Sequence, residues 1–506
     1  MTEASAPRDT EQSSIRMAEL LGTFSVASSL GVGLPMEHGV RSCYIGMQLA
    51  GALELSPEET RDLYWTELLK DAGCTCWTSP IAMAILGDEI TARKELFFGG
   101  DPKDPKHAFG WLLHYMAAGE PLTTRITRMA DFFLHGNQFW KEGFHGACQV
   151  ARRIAERLGM NEAVQAGLMS IFEQWDGKGM PNGTRGKAIP LVSRIVYLTS
   201  FLEVFHQMGG RDAAVRLAKA RRGKAFDPQV VDAFTAVSSS ERFWEGLEQE
   251  SIWNTVLSLE PHPGPWLAGG DEVETVALAL ADFADLKSPY TVSHSRTVAD
   301  AAVGIARRMR LPEDEIAVVR RGALVHDIGL VGVPSFVLNK PQASLTPAEW
   351  EQFRLHPYYS ERVLSRVPTL GPVAAAVGQH HERMDGSGYY KGVPGASIPL
   401  GSRIIAVADA FCELTQGTAA NEALEPSEAL EAMAGTSRHS LYAEACQALA
   451  DDWNGVSRRS REAGRAWPSG LTDREVEVLR LLCQGHTRKQ IAASMVLSEN
   501  TVRHHL

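Results

Sequence analysis

The chain has 506 residues, 44% hydrophobic and 22% charged, which is ordinary for a globular protein with substantial cores. No apolar run approaches the ~20 residues of a membrane span, the N-terminus lacks a signal-peptide pattern, and the seven cysteines are too scattered for a disulfide framework. We therefore expect a cytoplasmic protein that does not contact a membrane. The net charge of −11 argues against a protein that coats nucleic acid in general, but it allows one small DNA-binding module.

The first predicted elements are two helices in residues 38–74, and the same pattern recurs without a gap in residues 294–330. His38 falls on His294, and Asp71 falls on Asp327. In both copies a proline and a run of acidic residues mark the start of the second helix, as is typical of a helix N-terminus.

A second pair of segments, 173–195 and 382–404, matches in the same order, so the chain contains a tandem duplication. The offset between the copies falls from 256 to 209 residues, which means that the first copy carries an additional segment within about residues 75–140. Trp77, Trp111 and Trp140 lie in this segment. They could line a ligand pocket or form a core, and a core is the prediction.

Seven side chains of the second copy have the chemistry of metal ligands: His294, His326, Asp327, His356, His380, His381 and Asp409. At the matching positions the first copy has His38, Lys70, Asp71, Ile171, Phe172 and Ser200, with His145 at the approximate position of His356. A lysine carries its own positive charge, and the side chains of isoleucine and phenylalanine cannot coordinate an ion. The first copy is therefore predicted to keep the fold without the metal chemistry.

Imidazole and carboxylate ligands suit divalent iron, manganese or zinc, and an aspartate can bridge two ions. Two ions about 3.5–4 Å apart can clamp a phosphoryl oxygen, as they do in phosphohydrolases. A single histidine is more often a surface or core residue than a ligand. The presence of all seven residues together, and the loss of most of them from the first copy, favours a two-metal site.

The motif HDIG…HP…HHE.MDGSGY…RI.AVADA, within residues 271–440, resembles the HD-GYP subgroup of HD-domain metal-dependent phosphohydrolases. The resemblance implies an all-helical domain that cleaves cyclic di-GMP or another phosphodiester with two divalent ions, iron or manganese. One ion would be bound by His294, His326, Asp327 and Asp409, and the other by Asp327, His356, His380 and His381. Asp327 would be the bridging, catalytic aspartate. Some family members have a third metal supported by a glutamate where this chain has Tyr290, so two ions are expected.

The resemblance also assigns substrate binding to the loop after the paired histidines, namely to Arg383, Asp385, Gly386, Gly388 and Tyr389. Three features depart from the family pattern. Leu330 stands where the family has a lysine, Tyr390 stands where it has the proline of GYP, and residues 416–423 replace a basic segment. All seven metal ligands are present, whereas these three departures concern substrate binding. A complete metal site beside an altered substrate site is therefore predicted.

Two further signals concern helix starts and the C-terminal module. Thr346, Pro347 and Glu349 form a capping box, which predicts a helix that carries His356.

Residues 471–506 read as a helix-turn-helix and closely resemble the LuxR-type DNA-binding domain. That resemblance places five side chains near double-stranded DNA: Arg488, Lys489, Thr501, Arg503 and His504. The family's third helix continues further and a fourth follows it, so the module is expected to be incomplete at Leu506.

The sequence thus predicts an all-α protein with a degenerate HD-like domain (15–260), an HD-GYP-like domain (271–450), a linker (451–470) and a LuxR-type module (471–506). Three functions compete. The second copy could hydrolyse a phosphodiester, such as a cyclic dinucleotide, and regulate DNA binding. It could instead sense a metal and a nucleotide without useful turnover, or both copies could serve as a scaffold. We expect a homodimer.

Overall fold

The computed structural model describes residues 15–100, 105–261, 263–436 and 440–460, together with 475, 478–479, 481 and 488–495 near the C-terminus. The predicted all-α fold is confirmed. Within these described residues the strands are two of two residues each, β1 (Ile15–Arg16) and β2 (Leu267–Ala268), which pair in antiparallel fashion. No helix among the described residues has the length and apolar character needed to cross a membrane.

The first repeat consists of twelve helices in the described part of the chain. They are α1 (Met17–Gly31), α2 (His38–Ala52), α3 (Pro57–Leu69), α4 (Thr78–Ile85), α5 (Glu89–Phe98), α6 (Pro105–Tyr115), α7 (Leu122–Arg157), α8 (Glu162–Leu168), α9 (Leu191–Arg221), α10 (Pro228–Val237), α11 (Glu241–Glu248) and α12 (Ile252–Ser258). Short 3-10 helices cover Cys74–Trp77 and Gly186–Ala188.

The second repeat and its extension follow the same order of elements. They contain α13 (Gly270–Asp285), α14 (His294–Arg308), α15 (Glu313–Val325), α16 (Ser335–Leu338), α17 (Pro347–Arg354), α18 (His356–Leu364), α19 (Gly371–Val377), α20 (Leu400–Gln416), α21 (Pro426–Thr436) and α22 (Ala443–Ser460). Short 3-10 helices cover Ile328–Gly332, Gln342–Ser344, Pro368–Leu370 and Gly395–Ser397. Helices α2, α3, α8 and α9 occupy the aligned positions of α14, α15, α19 and α20.

Capping chemistry places several of these helix starts. Ser56 accepts the backbone N–H of Glu59 at the start of α3, and Thr346 accepts that of Glu349 at the start of α17, with a proline at the first helical position in both. Such a cap stabilises a helix by about 0.5–2 kcal/mol relative to alanine. The capping box predicted at Thr346 is confirmed.

The prediction that this helix carries His356 was wrong. Helix α17 ends at Arg354, and His356 is the first residue of α18. Pro357 explains the break, because a proline has no backbone N–H to give to the carbonyl of Phe353 and disfavours helical geometry in the residue before it. The Phe353 carbonyl is instead hydrogen-bonded to His356 Nδ1 at 2.7 Å.

The two repeats pack on each other reciprocally and share one hydrophobic core. Helix α1 of the first repeat packs against the 3-10 helix Ile328–Gly332 of the second, while α13 of the second packs against the 3-10 helix Cys74–Trp77 of the first. Helices α1 and α13 also contact each other, and their Phe24 and Phe283 rings lie 4.9 Å apart. The repeats are therefore two halves of one packed unit.

A buried ion pair also joins the repeats. Glu89, at the start of α5, accepts a hydrogen bond from Lys287 Nζ at 3.0 Å and another from the backbone N–H of Ser335 at 2.8 Å. The side chains of Glu89 and Lys287 are 0% and 1% exposed. Because water reaches neither charge, each one depends on the other.

The additional segment of the first repeat forms α4 to α6 and the first part of α7. Trp77, Trp111 and Trp140 belong to a separate hydrophobic cluster there, as predicted, and Trp111 and Trp140 also line a cavity, which was the alternative. At the other end of the chain, residues 451–460 of the predicted linker continue α22, since Trp453 packs on Phe411 and Asp452 accepts a hydrogen bond from Arg308 at 3.0 Å.

Candidate metal centre

The seven candidate ligands of the second repeat are brought together at one buried site. Two sets of side chains offer ligand atoms within 4.8 Å of one another: one set is Asp327, His356, His380 and His381, and the other is His294, His326 and Asp327. Asp327 belongs to both sets. The paired histidines lie in the turn after α19 rather than within a helix, so both rings can face the same space.

The carboxylate of Asp327 lies between the two sets. Its Oδ2 atom is 3.3 Å from His326 Nε2 and 4.0 Å from His294 Nε2. Its Oδ1 atom is 3.4 Å from His356 Nε2 and 3.5 Å from His380 Nε2. Each oxygen therefore faces a different group of imidazoles, which is the geometry that a bridging carboxylate needs.

Asp409 completes the first set from α20. Its Oδ1 atom lies 3.1 Å from His294 Nε2 and 3.7 Å from His326 Nε2. Helix α20 packs on both α14 and α15, which carry or adjoin these two histidines. The long helix thus brings a carboxylate to the same space from a distant part of the chain.

Hydrogen bonds at Nδ1 orient four of the five imidazoles. His326, His356 and His380 each have Nδ1 within 2.6–2.8 Å of the carbonyl oxygen three residues earlier, in Ala323, Phe353 and Val377. These carbonyls lie at or near helix C-termini, where intrahelical partners are missing. His294 Nδ1 lies 2.9 Å from the side-chain oxygen of Gln416. A proton held at Nδ1 leaves the Nε2 lone pair free to bind an ion.

Unpaired polar atoms at this site fit a bound cation. His326 Nε2 and Asp327 Oδ1 are buried and have no hydrogen-bond partner within the described residues. An unpaired buried polar atom usually costs about 1–3 kcal/mol, so such atoms call for a physical reason. A divalent ion held by imidazole nitrogens and carboxylate oxygens supplies that reason.

The charges of the two aspartates dominate the protonation of the site. Burial alone would lower the pKa of His294, but the hydrogen bond and negative charge of Asp409 raise it to about 9. Burial would raise the pKa of Asp327, but the charge of His326 holds it well below its usual range. Burial lowers the pKa of His356 to about 4. The site thus keeps negative carboxylates in a buried space and attracts cations.

The glycine loop behind the paired histidines is organised by one buried carboxylate. Glu382 accepts hydrogen bonds from the backbone N–H groups of Lys391, Gly392 and Val393 at 2.7–3.2 Å. Glu173, at the aligned position of the first repeat, accepts the N–H groups of Asn182 and Thr184 in the same way. Sequence reasoning missed this role, although a glutamate at the same place in both repeats was the available signal.

The first repeat has replaced ligands by groups that cannot bind an ion together. A side chain added at Gly73 would overlap the backbone of Ala147, just as one at the aligned Gly329 would overlap that of His356. The structural counterpart of His356 is therefore Ala147. The tentative alignment with His145 was wrong, and His145 is exposed and hydrogen-bonded to Gln149. Of the six remaining positions, two keep a residue type that can bind an ion, His38 and Asp71, and four do not: Lys70, Ile171, Phe172 and Ser200.

Comparison with known proteins places this geometry in a family. Residues 279–444 match the HD domain, and residues 469–506 match the luxR family of bacterial regulatory proteins. A relative in Vibrio cholerae serotype O1, named 3'3'-cGAMP-specific phosphodiesterase 3, is 33% identical over 422 residues, which are 83% of this chain and 91% of the relative. The chain belongs to the HD-GYP-type phosphohydrolases. It joins a metal-dependent HD-GYP domain to a LuxR-type DNA-binding domain.

Other HD-GYP proteins agree over shorter or similar lengths. A cyclic di-GMP phosphodiesterase response regulator of Xanthomonas campestris is 34% identical over 191 residues, which cover 36% of this chain and 49% of that protein. The crystal structure of a cyclic GMP-AMP-specific phosphodiesterase of V. cholerae matches 87% of this chain and 98% of its own, with a TM-score of 0.61 and 30% identity. That similarity extends over both repeats.

The predicted substrate loop lies beside the candidate ligands. The Tyr389 ring stacks on His381 with the ring centres 4.8 Å apart, and the Arg383 guanidinium donates to the backbone carbonyls of His380 and Glu382 at 3.2 Å. Gly386 has a φ of +79°, which glycine tolerates best, and it follows Asp385 in a turn closed by Ser387. A side chain at Gly388 would overlap the backbone of Glu382 and Arg383.

The departures from the HD-GYP pattern have structural counterparts. Leu330 is buried in a small apolar cluster with Val333 and Val337, so it packs instead of presenting a charge. Residues 416–423, which stand in place of the basic segment, begin with Gln416, whose side-chain oxygen lies 2.9 Å from His294 Nδ1. Tyr290, which stands where some family members have a glutamate, has a side chain that is 38% exposed.

Part of the predicted DNA-contacting set is described. Arg488 and Lys489 are exposed at the start of α23 (Arg488–Ser494), whose Ile491 and Ala492 pack with Val478 and Met495. This helix lies within the segment predicted as a helix-turn-helix. Thr501, Arg503 and His504 lie outside the described residues.

Proposed function

We propose that the second repeat is a cyclic dinucleotide phosphodiesterase with two divalent ions, iron or manganese, and that its state regulates DNA binding by the LuxR-type domain. The observation that carries this proposal is the position of Asp327, whose two oxygens face separate groups of imidazole Nε2 atoms at 3.3–4.0 Å. Two bound ions would polarise a phosphoryl oxygen and make an attacking water more acidic.

Each group of candidate residues would have its own role. One ion would be bound by His294, His326 and Asp409. The other ion would be bound by His356, His380 and His381, and Asp327 would bind both. Backbone carbonyls and Gln416 would keep the imidazoles in the tautomer that presents Nε2. Arg383, Asp385, Gly386, Gly388 and Tyr389 would form the mouth against which the substrate lies. Arg383 would supply positive charge beside the phosphates.

The substrate class is supported by the relatives. The Vibrio cholerae relative matched over most of its length is named as specific for 3'3'-cGAMP, and others are named for cyclic di-GMP. Both molecules are cyclic dinucleotides, and the relative named for 3'3'-cGAMP matches more of this chain than the one named for cyclic di-GMP. We therefore propose 3'3'-cGAMP as the first substrate to test.

The experiment that tests this function measures metal and turnover on one preparation. The full-length chain, purified without oxygen, is analysed for iron, manganese and zinc, and assayed with 3'3'-cGAMP, cyclic di-GMP and a generic phosphodiester. We expect about two ions per chain and cleavage of a cyclic dinucleotide in preference to the generic substrate. A chain that contains no metal after growth in metal-rich medium contradicts the proposal.

A second candidate function is a metal-dependent nucleotide sensor with little turnover. The burial of Leu330 in an apolar cluster favours it, because this position has no charge with which to hold a phosphate. Two ions per chain together with tight cyclic dinucleotide binding and no cleavage would support the sensor over the enzyme.

Gln416 provides a test of how the imidazoles are oriented. A Gln416→Leu substitution removes the partner of His294 Nδ1 and should weaken metal affinity by about 10–100-fold, the usual effect of losing a hydrogen bond to a ligating histidine. Competition with a fluorescent chelator measures this affinity. Gln447→Leu, which changes a glutamine bonded to Asp451 on α22, is the matched control and should leave it unchanged. Equal affinities in both variants would show that Gln416 does not support a ligand.

Metal binding should release protons at neutral pH. The pKa of His294 is about 9 in the metal-free site, so this imidazole is protonated at pH 7 and must lose its proton to an ion. Apparent affinity for Mn²⁺ should therefore rise by up to about tenfold per pH unit between pH 7 and pH 9, and then level off. Calorimetry in buffers of different ionisation enthalpy counts the protons. His145→Gln should release the same number as the wild type, and no proton release in either protein contradicts the assignment.

A further inference from the structure

The first repeat contains a cavity of about 580 Å³ at the position that corresponds to the metal centre of the second repeat. Six residues aligned with candidate ligands line it: His38, Lys70, Asp71, Ile171, Phe172 and Ser200. The cavity lies where an HD fold receives its substrate, although the ligand set has been lost. Its volume is within the range of about 300–1,000 Å³ that is common for small-molecule sites.

Two of the former ligand positions, Lys70 and His38, are paired with buried carboxylates that are not aligned with any ligand. Lys70 Nζ lies 3.2 Å from Glu67 Oε2, and Glu67 Oε1 accepts a hydrogen bond from Thr199 at 2.6 Å. His38 contacts Glu203 through Nδ1. These side chains are buried, and Glu67 compensates the positive charge of Lys70 at the floor of the cavity. The groups that recognise a ligand must therefore lie in the walls and at the mouth of the cavity.

Aromatic rings from the additional segment form one wall. Phe97, on α5, lies edge-on to Trp140 and Phe144 of α7, with ring centres 5.5 and 5.7 Å apart. Phe144 in turn lies 4.6 Å from Phe172, which occupies the position aligned with His381. All four rings line the cavity. Such a wall suits a flat aromatic group, because nucleic-acid bases pack favourably against aromatic side chains.

Basic side chains border the same cavity. Arg93 and Lys94 of α5, together with Arg221 and Lys224 at the end of α9, line it and make no ion pair within the described part of the chain. Arg221 lies over the Phe201 ring, which is another lining residue, at 5.3 Å. Asp71 and Asp176 are the lining carboxylates, and Asp176 is paired with Lys178. The four cations outnumber Asp71, the lining carboxylate without an ion-pair partner in the described residues, so the net unpaired charge at the cavity is positive.

We propose that this cavity binds a nucleotide, with a base against the aromatic wall and a phosphate at the basic side chains. A fatty-acid anion would fit the apolar surface but needs one cation, whereas four cations without an ion-pair partner among the described residues, next to a wall of aromatic rings, suit a phosphate joined to an aromatic ring. The nucleotide is bound without cleavage, because the ligand positions hold an alanine, an isoleucine, a phenylalanine and a serine. This site is distinct from the metal centre of the second repeat.

Binding is tested on the full-length chain carrying Asp327→Asn, so that turnover at the metal centre does not consume the probe and the outcome does not depend on the proposed activity. Calorimetric titration uses 3'3'-cGAMP, cyclic di-GMP, GMP, inorganic phosphate and decanoate. At least one nucleotide should bind. The substitutions Arg93→Ala and Arg221→Ala made together in this background should weaken nucleotide binding by roughly 30-fold or more, because two charge-assisted hydrogen bonds to the phosphate are lost.

The matched control replaces Arg152 and Arg216, two exposed arginines of α7 and α9 that do not line the cavity, and should leave the affinity unchanged. If the first double variant fails to fold, Lys224→Glu at the exposed mouth provides the same test of charge. Nucleotide binding that is equal in all variants overturns the proposal, because it then belongs to the second repeat. Phosphate alone binding as tightly as a nucleotide, or decanoate binding where nucleotides do not, also overturns it.

Discussion

An Asp327→Asn substitution is expected to lower turnover of a cyclic dinucleotide by about 1,000-fold or more, which corresponds to about 4 kcal/mol of transition-state stabilisation. The amide has one oxygen and no negative charge, so it cannot bind two ions at once. In the wild-type chain the two groups of imidazoles face the two carboxylate oxygens of Asp327 at 3.3–4.0 Å. Metal content should fall below two ions per chain, as measured on the same sample by mass spectrometry.

The matched control for this variant is Asp314→Asn. Asp314 is exposed in the first turn of α15, the helix that leads to His326, and it makes no contact with the metal centre. It should keep both metal content and turnover. If Asp327→Asn retains two ions and wild-type turnover, Asp327 is not the bridging ligand and the proposed centre is wrong.

Removing Glu89 should destabilise the whole protein. Glu89→Ala leaves the ammonium of Lys287 buried without its partner, and breaking a buried ion pair in this way typically costs about 3–5 kcal/mol in the free energy of unfolding. The substitution also removes the acceptor of the Ser335 N–H. Urea denaturation followed by circular dichroism measures the change.

Two further variants separate the buried pair from other effects on α5. Glu95→Ala, at an exposed position of the same helix, should change stability by no more than about 0.5 kcal/mol. Glu89→Gln combined with Lys287→Met removes both charges and should recover most of the loss. A single Glu89→Ala variant as stable as the wild type would show that the pair contributes little.

The sequence predicted those features that leave a local or repeated signal. The duplication was visible because two segments match in order, and the capping box at Thr346 was visible because its residues are adjacent. The seven candidate ligands could be selected since they contrast with the first copy, and the structure brings them together. Motif spacing and the comparison between the two copies were therefore enough to predict the duplication, the capping box and the ligand set.

The missed features depend on contacts between distant residues. Gln416 is 122 positions from His294, and Glu89 is 198 positions from Lys287, so neither pair produces a periodic pattern. The cavity of the first repeat requires the relative placement of α5, α7 and α9, which no single segment determines. The helix break before His356 did have a local signal in Pro357, and it was overlooked.

The reciprocal packing of α1 and α13 has a consequence for assembly. Each of these helices lies on the other repeat's 3-10 turn, and the strands β1 and β2 that precede them pair with each other in antiparallel register. Equivalent surfaces meeting about a twofold axis are the hallmark of an isologous dimer, here formed by two halves of one polypeptide. The linkage fixes the effective concentration of the halves, so one half can lose its metal ligands without the assembly losing its partner.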